Sequence, residues 1–291
     1  KMSGFVSPSS GIAASVYLAL YTIFLGFMTY VVIKRGFKTL FTFIFVFCLL
    51  RFGGQLCGLV YATLDPTHYN WLIAYLVLQA EGYFTLILTC FRFTCKAQVE
   101  EHGQSWVTHS GPRTLLLGKF NISWMRLFHF ILLPANAFLI AGGSITANMD
   151  PYDQESYHLT INTAKGLRTA GQVIFLLMTI ILIALNAYVF MKERIRNRTT
   201  TAVMIAGPFL IVRGIFGILS IFIDDMNYYE LTNYTSNGVN KDLVIYEYVL
   251  ATTMEFLTAV VLMTRYFARE PVKQELIGDE KSSSLSFKNL T

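Results

Sequence analysis

Residues 173–190, VIFLLMTIILIALNAYVF, contain no charged side chain. An apolar stretch of this kind is typical of a helix that crosses the hydrocarbon core of a bilayer, which needs roughly 20 residues. Comparable stretches lie on both sides of it along the chain. Together they predict an all-α membrane protein, a seven-transmembrane helix bundle. The predicted spans are 12–33, 39–63, 71–91, 124–146, 166–190, 202–223 and 244–266.

The composition agrees with a single membrane domain. The chain has 291 residues, of which 54% are hydrophobic and only 14% charged, whereas about a quarter of the residues of a soluble domain are charged. Seven spans with short loops occupy residues 1–270. The remaining residues, 271–291, form a polar tail with a run of serines, and we expect this tail to be cytoplasmic and disordered.

The lysine and arginine residues predict the orientation, since cytoplasmic loops carry an excess of both. With a cytoplasmic C-terminus, seventeen of them lie on the cytoplasmic side and four lie outside. Eight acidic residues fall on the outer side. The pattern therefore predicts an outer N-terminus. It also explains the net charge of +5 as an attraction to the inner leaflet, so we expect no nucleic-acid partner.

This orientation predicts one usable glycosylation site. Asn233 begins an Asn-Tyr-Thr motif in the last outer loop, where the glycosylation machinery acts. The same type of motif at Asn197 falls in a predicted cytoplasmic loop. We therefore expect a glycan on Asn233 alone of these two.

Four ionisable residues lie near the middle of predicted spans: Arg51, Glu81, Arg213 and Glu255. A charge that faces lipid costs at least about 2.5–3.5 kcal/mol, so these side chains are expected inside the bundle. We predict that Arg213 pairs with Glu255, because their spans are neighbours, and that Arg51 pairs with Glu81 or Glu255. The cluster is either a head-group site or an ion-pair network that fixes helix packing, and the sequence leaves both open.

Two amides extend this candidate site. Gln55 follows Arg51 by four residues and shares its helix face, and Gln172 lies one turn from Arg168. An interhelical hydrogen bond is the simpler role for each. The sequence shows no histidine pair with metal-ligand spacing, no phosphate-binding glycine loop and no serine-nucleophile motif, so we expect no metal and no cofactor and assign no catalytic residue.

Several short segments resemble an uncharacterised family of seven-span membrane proteins of filamentous fungi. They are Pro208-Phe209-Leu210-Ile211-Val212-Arg213, Leu50-Arg51-Phe52-Gly53-Gly54, Leu167-Arg168-Thr169-Ala170-Gly171, Met254-Glu255-Phe256 and Ala141-Gly142-Gly143. Glu81-Gly82-Tyr83 is similar to a motif of the fungal lipid-translocating exporters, which have seven spans and this orientation. The resemblance implies a fungal membrane protein and implies no particular activity.

Three functions stay open. The first, which we favour, is binding of a small amphipathic or lipid-like molecule in a central polar pocket, as a receptor-like or lipid-handling protein of the plasma membrane. The second is a membrane-embedded enzyme, such as a cyclase acting on a lipophilic substrate, with Glu81 or Glu255 as general acid. The third is a structural protein that organises membrane as a homo-oligomer through Gly54 and Gly58. Expected partners are membrane lipids and the small ligand.

Overall fold

The computed structural model describes residues 5–64, 70–109, 123–147, 154–235 and 238–267. Its helices are α1 (Pro8–Arg35), α2 (Phe41–Thr63), α3 (Asn70–His102), a short α4 (Trp106–His109), α5 (Trp124–Ala147), α6 (Gln154–Met191) and α7 (Arg198–Phe222). The last segment consists of α8 (Lys241–Glu247), a π-helical turn (Tyr248–Thr252) and α9 (Thr253–Met263). The predicted tail at 271–291 lies outside the described residues.

Seven helical segments of the described chain are long and apolar enough to cross a membrane. This confirms the expected seven-helix architecture of a multi-pass membrane protein. The third segment continues to His102, beyond its predicted end at 91. It does so because its last turns pack against the end of α6, where Gln98 Nε2 donates to both carboxylate oxygens of Glu193 at 3.1 and 3.0 Å.

Helix α3 lies in the middle of the bundle, in contact with α2, α5, α6, α7 and α9. Its Tyr83 and Leu86 side chains are fully buried. Large apolar side chains on the outer helices do the opposite: Ile23 is 73% exposed and Phe130 is 75% exposed. Such a surface is stable in lipid, because no water surrounds it there.

Glycines bring α5 and α6 into backbone contact. A Cβ added to Gly171 would lie 2.7 Å from the Ala135 carbonyl oxygen, and one added to Gly142 would lie 2.8 Å from the Ala164 carbonyl oxygen. Small residues at helix interfaces allow this close approach in membranes. This contact holds the Arg168 side chain between the two helices. The Cβ added to Gly142 would lie 2.8 Å from Arg168 Cγ.

Gly54 and Gly58 serve a similar contact between α2 and α3. A Cβ on Gly54 would lie 3.4 Å from Leu78 Cβ, and one on Gly58 would lie 3.1 Å from Tyr75 Cδ2. Both glycines are thus covered within one chain. A small-residue pattern indicates close approach and does not identify the partner, so self-association through these glycines stays a prediction.

The loop between α7 and α8 is folded against the bundle. It contains the single turns Asp224–Met226 and Leu231–Asn233 and a hairpin in which Tyr234 pairs with Val239. The Val239 amide donates to Ser7 Oγ at 3.2 Å. This bond ties the loop to the start of α1.

Asn233 lies inside this loop, with only 3% of its surface exposed. Its Nδ2 donates to the carbonyl oxygens of Asp224 at 2.5 Å and of Asn227 at 2.9 Å. A glycan is attached through the same nitrogen and needs solvent around it. In the folded loop this nitrogen is occupied by two carbonyl groups, and a glycan on Asn233 stays a prediction.

Candidate functional site

Three charged side chains meet in the centre of the bundle. Arg213 of α7 donates from Nε to Glu255 Oε1 of α9 at 2.6 Å, and Arg51 of α2 pairs with Glu255 Oε2. Arg51 and Glu255 are completely buried and Arg213 is 6% exposed. One carboxylate is therefore held between two guanidinium groups. Of the two partners predicted for Arg51, Glu255 is the one in contact.

The Arg51 guanidinium is accommodated by a glycine of α3. A Cβ on Gly82 would lie 2.5 Å from Arg51 Nε and 2.7 Å from its Cζ. Arg51 Nη2 also donates to the Gln79 carbonyl oxygen at 3.2 Å. The triad Arg51–Glu255–Arg213 thus connects α2, α3, α7 and α9, which is the arrangement of a packing network.

Glu81 does not join the triad. Its Oε1 accepts a hydrogen bond of 2.5 Å from Asn136 Nδ2 across the α3–α5 contact. Gln55 is also separate, since its Oε1 accepts from the Tyr248 hydroxyl at 2.9 Å. The role of general acid suggested for Glu81 or Glu255 gains no support from these contacts, because Glu255 is fully engaged by two cations.

Glu247 is a buried carboxylate that the sequence reasoning missed. It is 5% exposed, and its Oε1 accepts from the Tyr75 hydroxyl at 2.6 Å and from Gln79 Nε2 at 3.0 Å. No described Lys, Arg or His lies within 4.0 Å of it, and its Oε2 has no hydrogen-bond partner among the described residues. Its direct hydrogen-bond donors are therefore neutral, and the charges of Arg51 and Arg213 act on it from more than 4.0 Å away.

The π-helical turn explains how Glu247 comes to face the interior. An α-helix turns by about 100° per residue, so the eight residues from Glu247 to Glu255 would leave them about 80° apart. A π-bulge inserts one extra residue into the helix. The angle between the two side chains about the helix axis is therefore that of seven α-helical residues and not of eight. Both carboxylates therefore face the bundle, roughly two turns apart.

Tyr228, in the loop between α7 and α8, lies beside Glu247. Burial raises the pKa of the Tyr228 phenol well above its ordinary value, and the Glu247 carboxylate raises that pKa further. The phenol therefore stays neutral and can donate a proton in a hydrogen bond over the physiological range.

Two adjoining cavities lie next to these groups, in the half of the bundle nearest this loop. The larger, of about 110 Å³, lies between α3, α5, α6 and α7. The smaller, of about 80 Å³, extends to Tyr228 and Glu247. Both are lined by Leu76, Gln79, Arg168, Arg213, Ser220 and Tyr229. Gln172, predicted from the sequence, lines the larger one, and its Oε1 has no hydrogen-bond partner among the described residues.

Arg168 is the second group that the sequence reasoning left out of the site. Its guanidinium carbon lies 3.9 Å from the centre of the Tyr229 ring, and its Nη2 donates to Asn227 Oδ1 at 3.3 Å. It is 7% exposed, and no described carboxylate lies within 4.0 Å. The signal that could have identified it is its position just inside the predicted span 166–190.

Glycines make the space for this polar lining. A Cβ on Gly217 would lie 2.7 Å from Gln172 Cδ, and one on Gly143 would lie 2.6 Å from the Tyr229 hydroxyl oxygen. Both residues line the larger cavity. Any larger side chain there would push a polar group into the cavity or fill it.

A third cavity, of about 250 Å³, lies between α3, α4, α5 and α6 and is lined by apolar side chains that include Phe91, Phe128 and Met178. It offers no group for recognition of a polar ligand. Among the described residues, no group of three or more His, Cys, Asp and Glu side chains is placed to hold a metal ion.

Residues 7–268, nearly the whole chain, match the family described as a domain of unknown function, DUF7702. No curated protein and no solved structure matches the chain.

Proposed function

Because the chain belongs to the DUF7702 family, whose function is unknown, we propose a function from its site alone: it binds a small amphipathic molecule from the membrane. The polar head occupies the two adjoining cavities, and the apolar part extends between α3 and α5 into the bilayer. The single observation that carries this proposal is Arg168, a buried cation that faces a cavity and has no described carboxylate within 4.0 Å.

An unpaired guanidinium inside a membrane bundle is costly. An arginine at the centre of a bilayer costs about 2.5–3.5 kcal/mol. The cost is smaller for Arg168, which lies near the end of its span, and a ring face with one long amide contact offsets part of it. A ligand anion in the cavity would form charge-assisted hydrogen bonds with the Arg168 guanidinium. Arg213 lines both cavities as well, with only its Nε hydrogen-bonded to Glu255.

The apolar part of the cavity wall supports an exit to lipid. Leu76, Val77 and Ala80 of α3 face Leu139 and Ile140 of α5 across the larger cavity. Val77, Ala80 and Ile140 are only half-buried. A cavity of about 110 Å³ is smaller than a pocket for a drug-sized ligand, roughly 300–1,000 Å³, so it holds a head group while the chain stays outside.

The ligand then lies away from the centre of the charged cluster that the sequence predicts as its site. The triad of Arg51, Arg213 and Glu255 is a structural network, and the head group lies beside it, against Arg168. With the orientation indicated by the lysine and arginine residues, the cavities lie in the outer half of the membrane. We place the protein in the plasma membrane of a fungal cell, as a receptor-like or lipid-handling protein.

Binding of a chain-bearing anion tests this function. The wild-type protein in phosphatidylcholine nanodiscs should bind tritiated dodecyl methyl phosphate saturably, and unlabelled probe should displace it. Dodecanol, which has the same chain and no charge, should displace it at least about tenfold less well, since it cannot pair with the arginine. Binding no greater than that of empty nanodiscs, or equal displacement by dodecanol, would contradict the proposal.

A further inference from the structure

Two buried charges of opposite sign, neither of which forms an ion pair with a described residue, border the two adjoining cavities. Arg168 lines both, and Glu247 lines the smaller. The two are not an ion pair, since Arg168 and Glu247 lie more than 4.0 Å apart. A molecule placed between them meets a cation on one side and an anion on the other.

Neutral partners hold the two charges apart. Arg168 is fixed by the Tyr229 ring and by Asn227. Glu247 is fixed by Tyr75 and by Gln79. Neither side chain is left free to swing across the cavity, so the separation is built into the fold.

We propose that the head group is zwitterionic, with its anionic group on Arg168 and its ammonium group on Glu247. This inference rests on the proposed function and specifies its ligand class. A purely anionic head group would satisfy Arg168 but would lie near the Glu247 carboxylate, and the repulsion of like charges would weaken its binding. A zwitterion satisfies both charges and adds no net charge to the interior.

The free acceptors specify the kind of ammonium. Glu247 Oε2, Gln79 Oε1 and Gln172 Oε1 have no hydrogen-bond partner among the described residues. A primary ammonium carries three N–H donors and can satisfy such acceptors, whereas a quaternary ammonium carries none. Buried acceptors left unsatisfied cost about 1–3 kcal/mol each. The site therefore favours a phosphoethanolamine-type head over a phosphocholine-type head, although the Tyr228 and Tyr229 rings suit both cations.

Displacement of tritiated dodecyl methyl phosphate from the wild-type protein tests this order. Dodecyl phosphoethanolamine should displace the probe at least about tenfold better than unlabelled probe does, because an ammonioethyl group replaces the methyl group of the probe and can pair with Glu247. Dodecyl phosphocholine, at submicellar concentration, should be clearly weaker than dodecyl phosphoethanolamine. Saturable binding of the probe with no preference for dodecyl phosphoethanolamine would overturn the zwitterion inference and leave the proposed function standing.

A carboxylate variant locates the preference. Glu247→Gln keeps the side-chain size and should bind dodecyl phosphoethanolamine and the probe about equally. Glu81→Gln is the matched control, since Glu81 is a partly buried carboxylate of α3 outside the cavity lining, and it should keep the preference. A preference that survives in Glu247→Gln would overturn the assignment. If that variant does not fold, the zwitterion inference is tested by the wild-type protein alone, from which dodecyl phosphoethanolamine should displace the probe better than dodecyl phosphocholine does.

Phosphoethanolamine without an alkyl chain distinguishes a lipid ligand from a soluble zwitterionic ligand. It should displace the probe at least about 100-fold less well than the dodecyl form, because it lacks the apolar contacts of the chain. Equal displacement would overturn a membrane-derived ligand. Absence of saturable binding of any chain-bearing probe would instead overturn the proposed function itself.

Discussion

Replacing Glu255 with glutamine is expected to lower the free energy of unfolding by about 3–5 kcal/mol, the cost of leaving a buried charge without its partner. Arg51 and Arg213 contact the same carboxylate, so its loss leaves two buried cations facing each other. The measurement is the unfolding free energy of the variant and the wild type in mixed micelles.

Glu81→Gln is the matched control for this variant. Glu81 accepts a hydrogen bond from Asn136 and contacts no described cation, so its substitution should cost less than about 1 kcal/mol. Adding Arg51→Met to Glu255→Gln should restore part of the stability, because it removes one of the two unpaired cations. Equal losses for the two glutamine variants, or no recovery in the double variant, would show that the triad is not a stabilising network.

Arg168→Gln is expected to weaken binding of dodecyl methyl phosphate by about 10- to 100-fold, since a hydrogen bond to a charged group contributes roughly 1.5–3 kcal/mol. The same variant should keep the wild-type unfolding free energy within about 1 kcal/mol, because Arg168 has no carboxylate partner to lose among the residues that the structure describes. Arg168→Gln is thus expected to lower binding and to leave stability nearly unchanged, whereas Glu255→Gln is expected to lower stability. The binding assay and the unfolding assay together measure this contrast.

Arg92→Gln is the control for the arginine variant. Arg92 also lies over an aromatic ring, with its guanidinium 5.5 Å from the centre of Phe43, and it lines neither of the two adjoining cavities. Its substitution should leave probe binding unchanged. If Arg168→Gln lowered stability and left binding intact, Arg168 would be a structural residue and the proposed head-group site would be wrong.

The architecture was predictable because a membrane imposes it. A bilayer requires long apolar helices, and that pattern is visible in residues such as 173–190. The cost of charge in lipid also predicts that Arg213 and Glu255 face inward, and their contact follows from the adjacency of their helices.

The site was less predictable for a geometric reason. Glu247 falls near the start of the predicted span 244–266, where a carboxylate is expected to reach water, and only the π-helical turn rotates it inward. Local helix geometry of that kind leaves no clear mark on residue pattern. Arg168 was assigned to the outer surface by the same argument from position, and the contact of α5 with α6 buries it.

The contact partners of small and polar residues could not be predicted from the sequence either. Gly54 and Gly58 form a pattern that suits any close helix contact, and the fold uses them between α2 and α3. Asn233 carries a glycosylation motif, yet the loop uses its amide to bind two carbonyl groups. In both cases the residues of the motif make their contacts with other parts of the same chain.

A density map of the protein in nanodiscs that contain phosphatidylethanolamine tests head-group binding most directly. The expected result is density for a head group in contact with both Arg168 and Glu247, continued by a chain that leaves the bundle between α3 and α5. Nanodiscs of anionic lipid without an ammonium group serve as the comparison and should show weaker density at Glu247. Cavities filled by protein side chains, with Arg168 paired to a carboxylate of the chain itself, would contradict the proposed site.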